Sequence, residues 1–217
     1  KSQEQGGETK AEAEQSQEEF GHLSLDKLWK GDFDGMVERR LIRVLVVNNK
    51  MQFFLDQGKK RGVSVEMLEA FEKTVNEGNE DKALQIDLIF LPVYRDQLIP
   101  SLVEGRGDIA GGNLTITDER LEQVDFSEPF LTDVREIVIT NSKIVPLNSI
   151  EDLSGQTIHI RKSSSYFQHA IALNEAFKKK ALKPMKIIEA DEHLEDSDLL
   201  EMVDASLIPM VVVDDHK

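Results

Sequence analysis

The strongest constraint in this sequence is an alternation. Short β-branched runs of strand length give way repeatedly to stretches whose apolar residues recur at helical spacing. "LIRVLVVN" at 41–48 reads as a strand, followed by a polar loop. "GVSVEMLEAFEKTVNEG" then leaves Gly62 extended before Met67, Leu68, Phe71 and Val75 form one helical stripe. A strand "LQIDLIFLPV", a helix "RDQLIPSLVEG" and a strand "DIAGGNLT" follow. Strands about 30 residues apart with helices between them pair in parallel through crossovers, so a helix-covered parallel sheet is expected.

The pattern then restarts. After the strand "REIVIT" come a short capped helix "SIEDLSG", a strand "QTIHI", a helix "SYFQHAIALNEAFKKK", a strand "MKIIEA", a helix "DSDLLEMVDAS" and a strand "PMVVVDD". Two βα blocks separated near residues 130–140 predict two lobes, alike in architecture but without a sequence repeat. The 217 residues suffice for two small cores. Lobe 1 is assigned to 20–134 and lobe 2 to 135–217.

Residues 20–42 carry Leu25, Leu28, Trp29, Phe33, Met36 and Val37 at roughly helical spacing around "KGDFDG", which predicts two short helices joined by a turn. Ahead of them, residues 1–19 hold Ala as their only apolar type and six Glu against two Lys, a composition that reads as a disordered acidic tether. The first residue is Lys, so the chain reads as a trimmed or mature segment.

Charge narrows the partners. With 41 acidic and 26 basic residues the surface repels nucleic acid and anionic membranes, whose binding rests on Lys and Arg. The absence of Cys excludes disulfides, thiolate metal sites and a Cys nucleophile. No apolar run approaches the about 18 residues of a membrane span. Catalytic signatures of the GxSxG, HExxH and P-loop kinds are missing. The His residues at 22, 159, 169, 193 and 216 lack metal-ligand spacing, and His159 reads as a surface or satisfied core residue. Glu195 and Asp196 read as solvated loop residues.

One stretch carries chemistry. In "NLTITDER" at 113–120, Thr117 sits where a helix N-cap belongs and Asp118 and Glu119 fall in the first turn. Thr115 lies on the same side as Thr117, and Arg120 can swing back over the same end. Two readings stay open: a capped helix whose Arg120 pairs with Asp125 or Glu128, or a socket in which a guanidinium fork meets a carboxylate.

"RGVSVEMLEAF", "LIPSLVEGRGDIAGGNLTITDER" and "VDFSEPF" together resemble the first lobe of the family 3 extracellular solute-binding proteins, receptors for polar amino acids in bacterial import. The likeness spans about residues 41–214 and implies a two-lobed α/β fold of the type II periplasmic binding protein class. It also implies that the second lobe is incomplete here, because no return crossing follows "VVVDDHK". Carried over by residue, Thr115 and Arg120 hold a ligand α-carboxylate, and Asn113 offers a backbone carbonyl to its amino group. Arg161, Ser163, Ser164 and Ser165 add donors from lobe 2. Asp214, or its neighbour Asp215, pairs with the amine, and Phe53 or Phe54 walls the site.

The loop "NNKMQFFLDQGKKRG" departs from the family and is similar to the solute-binding-type domain fused to lytic transglycosylases, where it is a noncatalytic sensor of cell-wall peptides. The resemblance therefore implies a periplasmic, cofactor-free and metal-free monomer that binds a small zwitterion, an amino acid or short peptide. Its partner is an ABC permease or a C-terminal lytic domain, and its anchor a lipidated residue upstream.

Overall fold

The computed structural model describes residues 27–216. The expected tether at 1–19 and the first of the two short helices fall largely outside them. The second helix is present as α1 (Phe33–Arg39), capped by Asp32 and ended by Arg40 in the left-handed region.

Lobe 1 is built on β1 (Leu41–Val47), whose seven residues are all buried. It is the middle strand of a parallel sheet, flanked by β4 (Asp87–Val93) and β5 (Ile109–Gly111). Alternation along β1 divides the core. Ile42, Val44 and Val46 pack with Val65, Leu68 and Phe71 of α2 (Val63–Val75), whereas Leu45 and Val47 pack with Leu98 and Leu102 of α3 (Leu98–Glu104). Each such side chain contributes roughly 1.5–3 kcal/mol on burial.

Arg43, on the second face, is 2% exposed and closes the bottom of the sheet. Its Nη2 reaches Asp108 Oδ1 and the Gly105 carbonyl at 2.9 Å each, and its backbone N–H donates to Asp108 Oδ2 at 2.7 Å. Gly105 ends α3 at φ +83°. Burial raises the Asp108 pKa, but the Arg43 hydrogen bonds and the charges of Arg43 and Arg39 outweigh it and hold the carboxyl below the ordinary aspartate range.

Two local expectations change. Helix α2 starts directly after Gly62, because the Met51 and Gln52 carbonyls accept from the Val63 and Ser64 N–H groups and no extended lead-in is left. The loop read as polar and irregular contains a hairpin, β2 (Phe54–Asp56) and β3 (Lys59–Arg61), turned at Gln57 and Gly58, both with positive φ. Its β3 strand, Lys-Lys-Arg, is wholly exposed, so no alternation announced it.

Lobe 2 holds β6 (Glu136–Thr140), β7 (Thr157–Arg161), β8 (Lys186–Ala190) and β9 (Met210–Asp214) in the order β6-β9-β7-β8. β7 runs parallel to β8 and β9, but β6 pairs antiparallel with β9, so this sheet is mixed rather than wholly parallel. Phe177 and Tyr166 of α5 (Ser165–Lys179) pack with Ile158, Ile160 and Met210 on one face. Leu199 and Val203 of α6 (Asp196–Asp204) pack with Val211 and Val213 on the other. His159 departs from expectation: its Nδ1 is buried without a hydrogen-bond partner. Burial and the nearby Lys186 lower its pKa, which favours the neutral ring.

Replacing Arg43 by Met leaves the buried Asp108 carboxylate with Arg39 at 3.2 Å and one backbone N–H, and should cost about 3 kcal/mol of unfolding free energy in urea titration. The depressed Asp108 pKa fixes the sign of a pH effect. Its stabilisation is full above the unfolded aspartate pKa and drains as pH falls through the folded value. The difference in urea stability between wild type and Asp108→Asn should therefore be largest near neutrality and shrink below the ordinary aspartate range.

Candidate ligand-binding site

A cavity of about 220 Å³ lies between the lobes. Lobe 1 contributes residues 95–100 and 113–123, and lobe 2 the turn from β7 into α5. These segments follow the carboxyl ends of parallel strands, where α/β sheets place ligands. β5 stops at Gly111, short of the strand expected through Thr115, because the chain turns into the cleft. There Gly112 presses on α3: a Cβ at this position would stand 2.4 Å from Leu98 Cδ1. Asn113 follows with φ +49°.

Thr117 caps the one-turn helix α4 (Asp118–Leu121), its hydroxyl accepting from the Arg120 N–H at 3.4 Å. Arg120 folds back over this end. Its Nη1 donates to the Thr115 carbonyl at 2.7 Å, and its Nη2 crosses the cleft to the Ser163 carbonyl at 3.2 Å. Among the described residues no carboxylate forms an ion pair with it, so the pairing with Asp125 or Glu128 is not made. Burial, and then the positive charge of Arg95, lower its pKa, with Glu119 opposing. The group stays cationic, since an arginine pKa lies far above neutrality. An unneutralised guanidinium in a cavity is a receptor for an anion.

Three of the four donors expected from lobe 2, Arg161, Ser163 and Ser164, are engaged within the protein. Arg161, 3% exposed, donates to the Leu194 carbonyl at 3.0 Å, to Glu195 Oε1 at 3.2 Å, and to Asp196. Glu192 accepts from the Ser163 N–H at 3.0 Å and from its hydroxyl at 2.6 Å, and the Ser164 hydroxyl donates to the Arg161 carbonyl at 2.7 Å. Ser165 is buried at the start of α5 and lines the cavity.

Both expected aromatics and both expected acids fall elsewhere. Phe53 does not wall the cavity: it is 6% exposed within the lobe 1 core, stacked on Phe90 with centroids 5.8 Å apart. Phe54, in β2, is also absent from the wall. Asp214 is 5% exposed and lies behind Tyr166, whose hydroxyl oxygen accepts the Asp214 N–H at 3.1 Å. Asp215 instead meets Arg135. Asn113 does line the cavity, its Nδ2 3.2 Å from His216 Nε2.

The interlobe contact missed from sequence is Glu195, the N-cap of α6, which is 8% exposed rather than solvated. From lobe 1 it accepts Arg95 Nη2 at 2.7 Å, Arg95 Nε at 3.0 Å and Asn49 Nδ2 at 2.9 Å, and from its own lobe Arg161. Tyr94 and His193 meet edge-on beside it at 4.1 Å. An acid at an N-cap signals a helix start in any sequence, and nothing local reveals that two arginines converge on it.

Two α/β lobes around a cleft that holds an open arginine define the type II periplasmic binding protein class. Within it, residues 42–210 match the family described as bacterial extracellular solute-binding proteins, family 3, and the chain belongs to that family. It is similar to a protein named membrane-bound lytic murein transglycosylase F from Desulfosudis oleivorans, 29% identical over 69% of this chain and 30% of the relative. A relative of the same name from Pseudomonas fluorescens is 28% identical over 83% of the chain and 34% of its own length. The chain thus spans about a third of these relatives. Solved structures share the fold: an ancestral arginine-binding protein bound to arginine has a TM-score of 0.63 at 24% identity, covering 82% of this chain and 71% of that one. A structure described for glutathione import through GshT in Streptococcus mutans has a TM-score of 0.65 at 12% identity, covering 80% and 67%. Among the described residues no group of three or more His, Cys, Asp or Glu is placed to hold a metal ion, and no helix is long and apolar enough to cross a membrane.

Replacing Glu195 by Gln keeps the shape but removes the charge shared by Arg95 and Arg161. The cleft should open, seen as a larger radius of gyration in small-angle X-ray scattering, with a stability loss of about 3–5 kcal/mol, because Arg95 loses its carboxylate while Arg161 keeps Asp196.

Proposed function

We propose that the chain is an extracytoplasmic solute-binding domain that captures an amino acid or short peptide in the interlobe cleft, with the ligand's carboxylate on Arg120. The observation carrying this reading is the guanidinium itself: it lines the cavity, touches both lobes and holds only backbone carbonyls. Thr115 and Thr117 line the cavity beside it. A carboxylate docked there gains two charge-assisted hydrogen bonds in a partly desolvated site.

A second reading concerns context. The relatives named as lytic murein transglycosylases are about three times the length that this chain covers. That ratio supports a noncatalytic sensing domain for cell-wall muropeptides, with the chemistry in another part of the protein. A transport role would instead couple the domain to an ABC permease.

Calorimetric titration with amino acids, short peptides and muropeptides tests both. Arg120→Ala should weaken any carboxylate ligand on the order of 100-fold, the sum of two hydrogen bonds to a charged group at roughly 1.5–3 kcal/mol each less what water restores. Unchanged affinity in this variant overturns the carboxylate reading. Preference for muropeptides over all free amino acids favours the sensing role.

A further inference from the structure

Among the described residues, three buried side-chain atoms have no hydrogen-bond partner: Arg39 Nη2, His159 Nδ1 and Asp96 Oδ1. Of these residues only Asp96 lines the cavity. It lies in the turn between β4 and α3, next to Arg95, which is committed to Glu195 and to the Gly112 carbonyl. Its other oxygen, Oδ2, accepts from the side-chain amide of Gln97 at 2.8 Å. An ionised carboxylate offers about four lone-pair positions to donors. This one meets a single neutral donor and no cation.

The other acids around the cleft are engaged or screened. Asp214 does not line the cavity, and the Tyr166 hydroxyl that bonds it stands in between. Glu195 and Asp196 hold Arg95 and Arg161. Glu192 holds Ser163. Glu119 lines the cavity but is exposed, where water screens its charge.

Two unmatched charges of opposite sign are left on the wall, Arg120 and Asp96, both from lobe 1. They do not neutralise each other, since the Arg120 donors go to the Thr115 and Ser163 carbonyls. A cation and an anion unpaired in one enclosure of about 220 Å³ complement a molecule that carries both charges. A simple anion on Arg120 would leave the Asp96 acceptor unmet, and unmet buried acceptors are costly. The charge of Arg95 also bears on Arg120, so an ammonium entering beside them needs an anion close at hand. Water does not reach Oδ1, but the terminal torsion of an aspartate is broad and two-fold. A turn of the carboxylate exchanges its oxygens, and an ammonium then displaces the Gln97 amide.

Resting on the carboxylate reading above, we propose that Asp96 accepts the ligand's ammonium, so that lobe 1 holds both charged ends of a zwitterion and Asp214 of lobe 2 serves as a structural partner of Tyr166.

The test is calorimetry on the full 217-residue chain with a panel of free amino acids and, for each that binds, the analogue with hydrogen in place of the α-amino group. On the unaltered protein the amino acid should bind about tenfold or more tighter than its desamino analogue, as one hydrogen bond between charged groups implies. Asp96→Asn should weaken the amino acid by about tenfold or more and leave the desamino acid within about threefold, a split that a merely structural role would not produce. Asp96→Glu, which keeps the charge, should recover part of the loss. Asp214→Asn should leave both probes within about threefold.

An Asp96→Asn variant that keeps its amino-acid affinity, or weakens both probes alike, overturns the proposal. So does the same split appearing at Asp214→Asn instead. The carboxylate reading survives these outcomes if Arg120→Ala weakens both probes, and falls if it weakens neither. Equal affinity for the amino acid and its desamino analogue on the unaltered protein overturns the ammonium assignment even where Asp96→Asn does not fold. Silence across the whole panel overturns both.

Discussion

One carboxylate is shared by both halves of this protein. Glu195 leaves lobe 2 at the start of α6 and receives Arg95 and Asn49 from lobe 1 while Arg161 holds it from behind. Two guanidinium groups and a carboxylate, all largely removed from water, tolerate little displacement, because separating them leaves buried charges unpaired. The exposed Lys50–Glu201 pair at 3.7 Å also spans the cleft, but solvent-exposed ion pairs contribute little. The spacing of the cleft walls, and with it the cavity at Arg120, depends on the Glu195 cluster.

The cluster also explains how so acidic a chain can keep a site for anions. The net charge of −15 works against any anion at long range. Inside the cleft the balance is local. Arg95 and Arg161 are offset by Glu195 and Asp196, and Lys162 by Glu189 at 3.6 Å, whereas Arg120 has only carbonyl dipoles. Selectivity then comes from which cation is left unmatched rather than from total charge.

Much of the fold was legible because its signals are local. The β-branched run at Leu41–Val47, the stripe of α2 and the Ser149–Asp152 capping box each follow from neighbours in sequence. Thr117 and Arg120 were legible for the same reason, since cap and arginine lie three residues apart. What escaped depends on distant partners. The antiparallel pairing of β6 is set by β9, some 70 residues on, and the direction in which two distant strands pair leaves no periodic trace in either. Phe53 was placed in the cleft by its loop position, yet Phe90 and Val65 draw it into the core. Asp214 ends a strand as the resemblance requires, but the residue before it in space is Tyr166, contributed by a helix 48 residues earlier.

Arg120 spends two of its five N–H donors on carbonyls, one from each lobe. A guanidinium is planar, so the Thr115 carbonyl, the Ser163 carbonyl and a carboxylate on the remaining donors are all drawn toward one plane. The orientation of a docked ligand is then tied to the angle between the lobes: a twist that carries Ser163 away rotates the receptor along with it. Occupancy and interlobe angle become two readings of the position of one side chain.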